Sequence, residues 1–268
     1  MTMVLNTPEA EAVIDPRCGG RLASLRVAGH ELLVPRASNP LEWGCYPMVP
    51  WAGRTRNGQF EWAGVRHGLP INMPPHAIHG TVFDRQWTPV DSHAVVCSLG
   101  PDWPWKGDVR SVFSLDSNAF HWQLEIRAVD TPFPVVVGWH PWFRRVLSTL
   151  GPGALRFQAD RMHCRDAHGI PSGDLIDPPD GPWDDCFEGV REPPEIRWPE
   201  GIALRVSSSC QRWVIYDQPE HAICVEPQSA PPNGLNEPAV EVVRPDRPLV
   251  HSMSFQWTID PSTERNRV

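Results

Sequence analysis

Three observations predict an all-β protein. Proline makes up 31 of the 268 residues, about twice its usual ~5% share, and each proline inside a helix costs it ~3 kcal/mol. No window of ten or more residues carries apolar residues at i, i+3 and i+4 without a Pro or Gly interrupting it. Short apolar or alternating runs bounded by turn residues recur about every ten residues instead.

In chain order, Leu22 to Val27 and Glu31 to Val34 form a first hairpin around Ala28-Gly29, and Gln59 to Trp62 and Val65 to Leu69 a second around Ala63-Gly64. Trp87 to Val90 and Ala94 to Leu99 follow as single strands. Ser111 to Leu115 pairs with Phe120 to Ala128 across Asp116-Ser117-Asn118. In Phe120 to Ala128 apolar and polar residues alternate without a break, the mark of a half-buried strand. Val135 to Gly138, Ala203 to Ser207, Trp213 to Tyr216, Ile223 to Glu226 and Met253 to Ile259 complete the set. The stretch from Leu150 to Pro199, rich in Pro, Gly and Asp, reads as a set of long connections. No repeat or linker divides the chain, so one domain over residues 1–268 is expected.

Composition narrows the function. The formal net charge is -8, and the positive residues, all Arg apart from Lys106, are scattered, so no nucleic-acid partner is expected. The seven cysteines are odd in number and form no C-x-x-C, which points to neither a zinc ribbon nor a disulfide framework. Most are expected as buried small hydrophobes. No apolar run approaches the ~20 residues of a membrane span, and Met1 to Asp15 lacks the early cations and apolar stretch of a signal peptide. The expectation is a cytoplasmic monomer or homodimer with no membrane partner.

Five segments hold side chains able to do chemistry. Arg54 lies in a loop, Pro50 to Phe60, that leads into a strand; it offers five fixed donors for hydroxyls or carboxylates, or is a plain surface residue. His76 and His79 have a His-x-x-His spacing open to a metal, but without the helix that makes such spacing specific a loop histidine holding a carbonyl reads the same. His140, between Trp139 and Trp142 just after an apolar strand, can act as acid or base near neutrality, or pack in the core. Flanking indoles can also stack on a sugar ring. Glu226 ends an apolar strand before Pro227, where burial would raise its pKa above ~4.3 and make it a better base; a solvated strand-end carboxylate is the alternative. Asp184 and Asp185 read as turn aspartates.

Taken together and in this order, these segments resemble the aldose 1-epimerase (galactose mutarotase) family, from Gly19-Gly20 to Trp257. Arg54 to Phe60 resembles its arginine loop and Ile78-His79-Gly80 its Leu-His-Gly step. Gly138 to Phe143 resembles its His-Pro-Tyr-Phe step, with Trp142 in the Tyr place. Ile170 to Gly173 is similar to its Pro-Thr-Gly turn, Asp184 to Phe187 to its Asp-x-x-Phe, and Val225 to Gln228 to its base-bearing strand end. Gly53 stands where many relatives have Asn.

The resemblance implies a large antiparallel β-sandwich with a sugar cleft on one face. It implies Glu226 as general base, His140 as general acid and His79 as a second histidine at the ring oxygen. Arg54, Asp184 and Trp142 would bind the sugar, and no metal or cofactor is implied. The implied reaction interconverts the α and β anomers of an aldose. Opening the ring removes the C1 hydroxyl proton while protonating the ring oxygen, so a base and an acid must flank C1. Rival readings are a hexose-6-phosphate 1-epimerase drawing on Arg56, Arg85 or Arg144, and a non-catalytic carbohydrate-binding protein using the tryptophans. A glycosidase pairing Asp184 with Glu226 and a zinc hydrolase using His76, His79 and Glu226 are further rivals.

Overall fold

The structure, a computed structural model, describes residues 2–260; Met1 and residues 261–268, part of the expected 1–268 unit, lie outside the described residues. Two antiparallel sheets organise the chain. The larger has eleven strands. Across it run Met3–Asn6, Ala10–Asp15, Arg21–Val27, Cys45–Met48, Gly138–Arg144, Ala222–Gln228, Arg212–Tyr216, Asp184–Glu188, Arg161–Arg165 and Pro171–Ile176, with His30–Glu31 attached to the third. The eight-stranded sheet runs Thr88–Pro89, Ala94–Ser98, Gly107–Leu115, Ala119–Ala128, Leu249–Ile259, Ile202–Ser208, Glu195–Arg197 and Ala154–Arg156.

The period of two along each strand decides which side chains meet between the sheets. In Ala119–Ala128, Phe120, Trp122, Leu124 and Ile126 are buried. Trp122 meets Trp139 at 6.3 Å and Phe255 meets Phe143 at 5.1 Å, both edge to face. Each such side chain contributes roughly 1.5–3 kcal/mol by leaving water. Because Trp139 and Phe143 point into this core, His140 and Trp142 must point to the opposite face of the larger sheet. Placing the site is thus a consequence of packing the core.

The strand alternation read from Phe120 to Ala128 is observed, and its partner is longer than expected, Gly107–Leu115. Four expectations need correction. Leu150 to Pro199 is not a set of connections but holds five strands, Ala154–Arg156, Arg161–Arg165, Pro171–Ile176, Asp184–Glu188 and Glu195–Arg197. They are short, lie toward one end of each sheet, and one ladder slips register between His163 and Arg165. The run Val135 to Gly138 is not one strand. Phe133–Val135 ends a small ladder, Gly138–Arg144 begins in the large sheet, and Val136 and Val137 cross between, bonding to Pro50 and Ser229. Pro227 does not end the strand of Glu226, which continues to Gln228; there Pro227 sits opposite Trp213. Asp184 and Asp185 open a strand rather than occupying a turn. Of the seven cysteines, all free, five are buried as expected, while Cys18 and Cys164 are half-buried. No helix among the described residues is long and apolar enough to cross a membrane.

Candidate active site

The outward face of the large sheet carries a polar row built by strand register. Tyr46 lies opposite His140, Cys224 opposite Trp142, Val214 opposite Glu226 and Asp184 opposite Tyr216. Glu226 and Gln228, two residues apart, share this face. Above them the short pairing of Arg54–Thr55 with Ala77–Ile78 brings Arg54 and His79 to the same hollow. The backbone N–H of His79 donates to the carbonyl of Gly53 at 3.2 Å. Gly53 has φ +66°, a left-handed conformation that favours glycine.

The resulting cleft holds about 200 Å³ and is lined by His140, Glu226, His79, Arg54, Asp184 and Trp142 together with Tyr46 and Gln228. That is below the ~300–1,000 Å³ of pockets for drug-sized ligands and suits one small molecule. At its floor His140 Nε2 lies 3.2 Å from Glu226 Oε1, with both side chains under a tenth exposed. Gln228 Nε2 donates to the other Glu226 oxygen at 3.3 Å. Burial pushes the Glu226 carboxyl well above its ordinary range; nearby Asp184 adds to the rise, and Gln228 and Arg54 oppose it. Burial pushes His140 down to about 3, and His79 well below its ordinary value, with His140 and Arg54 adding to that fall. The two effects on the floor pair share one cause: a carboxylic acid beside a neutral imidazole puts no net charge in a dry site.

The His140 ring is held on three sides. It stacks on Trp142 (centroids 5.2 Å apart, planes 5° apart) and on Tyr46 (5.0 Å, 29°), and His79 meets it edge to face at 5.1 Å. His221 covers the Trp142 ring at 5.9 Å and 12°. Trp142, expected as a sugar platform, lines the cleft and has His140 and His221 stacked on it. Asp184 is half-buried beside Arg165, 3.3 Å away, and burial raises its pKa against the pull of Arg54 and Arg165.

Several residues singled out in the sequence stand elsewhere. His76 does not line the cleft; its Nδ1 accepts the Asn57 N–H at 3.0 Å and its ring packs on His168. Asp185 also lies off the cleft, bound to Arg165 Nε at 2.7 Å. Arg56 is paired with Asp166 at 2.8 Å, and neither it nor Arg85 nor Arg144 lines the cleft. Among the described residues, the one group of three potential metal ligands close together is His140, Cys224 and Glu226, so the trio His76, His79 and Glu226 is not assembled. Tyr46, Gln228 and the rim residues Asn39 and Glu42 were not anticipated. Only Gln228 had a readable signal, its i+2 spacing from Glu226.

The model of the aldose 1-epimerase family matches residues 1–256. The uncharacterized protein YihR of Escherichia coli K12 is 27% identical over 252 residues, which cover 81% of this chain and 80% of YihR. A galactose mutarotase-like protein from Clostridium acetobutylicum superposes with a TM-score of 0.84 at 15% identity, covering 96% of this chain and 95% of that one. Galactose 1-epimerase from Lactobacillus acidophilus gives 0.79 at 17% identity, covering 96% and 93%. With the sheet order, these likenesses give the fold as an antiparallel β-sandwich of the galactose mutarotase-like type. This chain belongs to the aldose 1-epimerase family.

Proposed function

We propose that the protein is an aldose 1-epimerase that opens and recloses the ring of a free sugar, with Glu226 and His140 exchanging protons at C1. One observation carries this reading, the 3.2 Å approach of His140 Nε2 to Glu226 Oε1 on the floor of a cleft sized for one small molecule. The C1 hydroxyl oxygen and the ring oxygen are bonded to the same carbon, so the groups that serve them must themselves be neighbours. In the reactive arrangement Glu226 is a carboxylate and His140 an imidazolium. Glu226 takes the hydroxyl proton as His140 protonates the ring oxygen, and the C1 to ring-oxygen bond breaks. Rotation about C1–C2 turns the aldehyde, and reclosure with the roles reversed gives the other anomer and restores the pair.

His79, kept neutral, stands beside His140 to donate or accept at the ring oxygen. Arg54 and Asp184 would hold the remaining hydroxyls and fix the ring for reaction. The reading treats the chain as one unit with a sugar as its small-molecule partner and a cytoplasmic setting. Polarimetry on a panel of freshly dissolved aldoses, with and without protein, tests it. Faster decay toward equilibrium for at least one sugar is expected, and background rates across the panel would contradict it. Including glucose and its 6-phosphate in the panel separates the phosphate-reading rival, which the removal of Arg56, Arg85 and Arg144 from the cleft lining disfavours.

Two further outcomes follow. Because the pair must hold one proton to contain both an acid and a base, kcat/KM should be bell-shaped in pH. It should fall at high pH, beyond the raised Glu226 range, where that group loses the proton, and below about 3, where His140 accepts a second. Asp184, Arg54, His79 and Arg21 are the charged or titratable neighbours that set these limits. A pH–rate profile corrected for the uncatalysed reaction checks this; a rise in rate toward alkaline pH would contradict it. Second, Trp142→Leu should free the His140 ring and lower kcat on the order of 10²-fold. Trp142→Phe, which keeps an aromatic face against the imidazole, should retain most of it. Equal losses in both variants would contradict the clamping role.

A further inference from the structure

We infer that the floor of the cleft is a binding site for a single zinc-class dication, held by His140, Cys224 and Glu226. One ligand atom from each lies within 4.8 Å of the others, and all three residues are buried. The trio arises from strand geometry. Cys224 and Glu226 are two apart on one strand and share its outward face, and Trp142, two residues from His140, lies opposite Cys224.

The donor chemistry selects the ion. A thiolate and an imidazole suit zinc and its neighbours rather than magnesium or calcium, which favour oxygen ligands alone. Three protein ligands with a fourth position facing an open cleft match zinc sites that keep room for water or a ligand. One thiolate and one carboxylate balance a 2+ charge, so the filled site is neutral, as a desolvated site requires. The 3.2 Å spacing of the His140 and Glu226 atoms already fits two ligands at ~2.0–2.2 Å from one ion. Cys224 Sγ, needing ~2.3 Å from the ion, lies within 4.8 Å of the other two ligand atoms. Gln228, donating to Glu226 Oε2, leaves Oε1 turned toward the metal position, the outer-shell support usual for such ligands.

An ion seated there occupies the nitrogen and the oxygen that would handle the sugar's protons. Resting on the epimerase reading, zinc is then an inhibitor that competes with sugar. Binding of the ion does not depend on that reading.

Cobalt(II) is the spectroscopic probe, titrated into the full-length protein. One equivalent should give tetrahedral visible bands and a near-ultraviolet thiolate-to-cobalt band, both bleached by zinc. Cys224→Ser should abolish the thiolate band and weaken zinc binding by more than about 100-fold, beyond the 10- to 100-fold of outer-shell changes. An unchanged spectrum in that variant would overturn the site. Should Cys224→Ser fail to fold, X-ray absorption on the zinc-loaded native protein decides instead. One sulfur neighbour at ~2.3 Å supports the site, and a shell of nitrogen and oxygen alone overturns it. If sugar turnover is measurable, zinc should inhibit the native enzyme at least about tenfold more strongly than the Cys224→Ser protein. If turnover is absent while cobalt binds as described, the epimerase reading fails and the metal site stands.

Discussion

Glu226→Gln is expected to lower protein-dependent anomer exchange by about 10²- to 10⁴-fold, the range for loss of a positioned general base. The amide nearly matches the carboxyl in shape, and Gln228 can still donate to its oxygen, so the cleft should keep its form. Stability should not fall with activity. A buried carboxyl whose pKa is pushed well up by desolvation is a strained choice for the fold, and a neutral amide removes that strain. A melting temperature equal to or above that of the native protein, with turnover nearly gone, would place Glu226 in the chemistry rather than the scaffold. Exchange within about threefold of native would remove it from the role of base.

The second large effect concerns the backbone beneath His79. Gly80 has φ +83°, and a Cβ there would lie 2.0 Å from the Val49 carbonyl oxygen. That contact is enforced by a bridge between the two residues and by the Thr81 N–H donating to the same carbonyl at 2.9 Å. Gly80→Ala must therefore push two buried backbones apart in addition to adopting a left-handed conformation, which itself costs ~1–3 kcal/mol. A loss of at least ~3 kcal/mol is expected, lowering Tm by roughly 6–12 °C for a chain of this size. Thermal unfolding followed by circular dichroism reads it directly. Because His79 is the preceding residue, also at positive φ (60°), the surviving folded fraction should turn over more slowly as well. A Tm within a degree or so of native would show that the loop relaxes freely.

Which parts were legible in the sequence follows from how each signal is generated. Phe120 to Ala128 was readable because one face meets the core and the other meets water, so burial writes itself into alternation. Glu226 and His140 lie in strands that are buried almost throughout, where no alternation exists to say which way a side chain points. Their order along the chain gave them away; their orientation did not. The five strands between Leu150 and Pro199 were hidden because short strands near a sheet's end need few apolar residues and tolerate Pro and Gly. The i, i+2 relation of Trp142 to His140 put both rings on one face, where they stack on each other. Tyr46 could not have been found, since only the register of Cys45–Met48 against Gly138–Arg144 brings it to His140.

A crystal structure of the Glu226→Gln protein soaked with an aldose that the native protein turns over tests the central claim most directly. The account predicts sugar on the cleft floor with its C1 hydroxyl within hydrogen-bond reach of residue 226 and its ring oxygen within reach of His140 Nε2. A sugar bound with C1 turned toward solvent, or seated away from both groups, would contradict it.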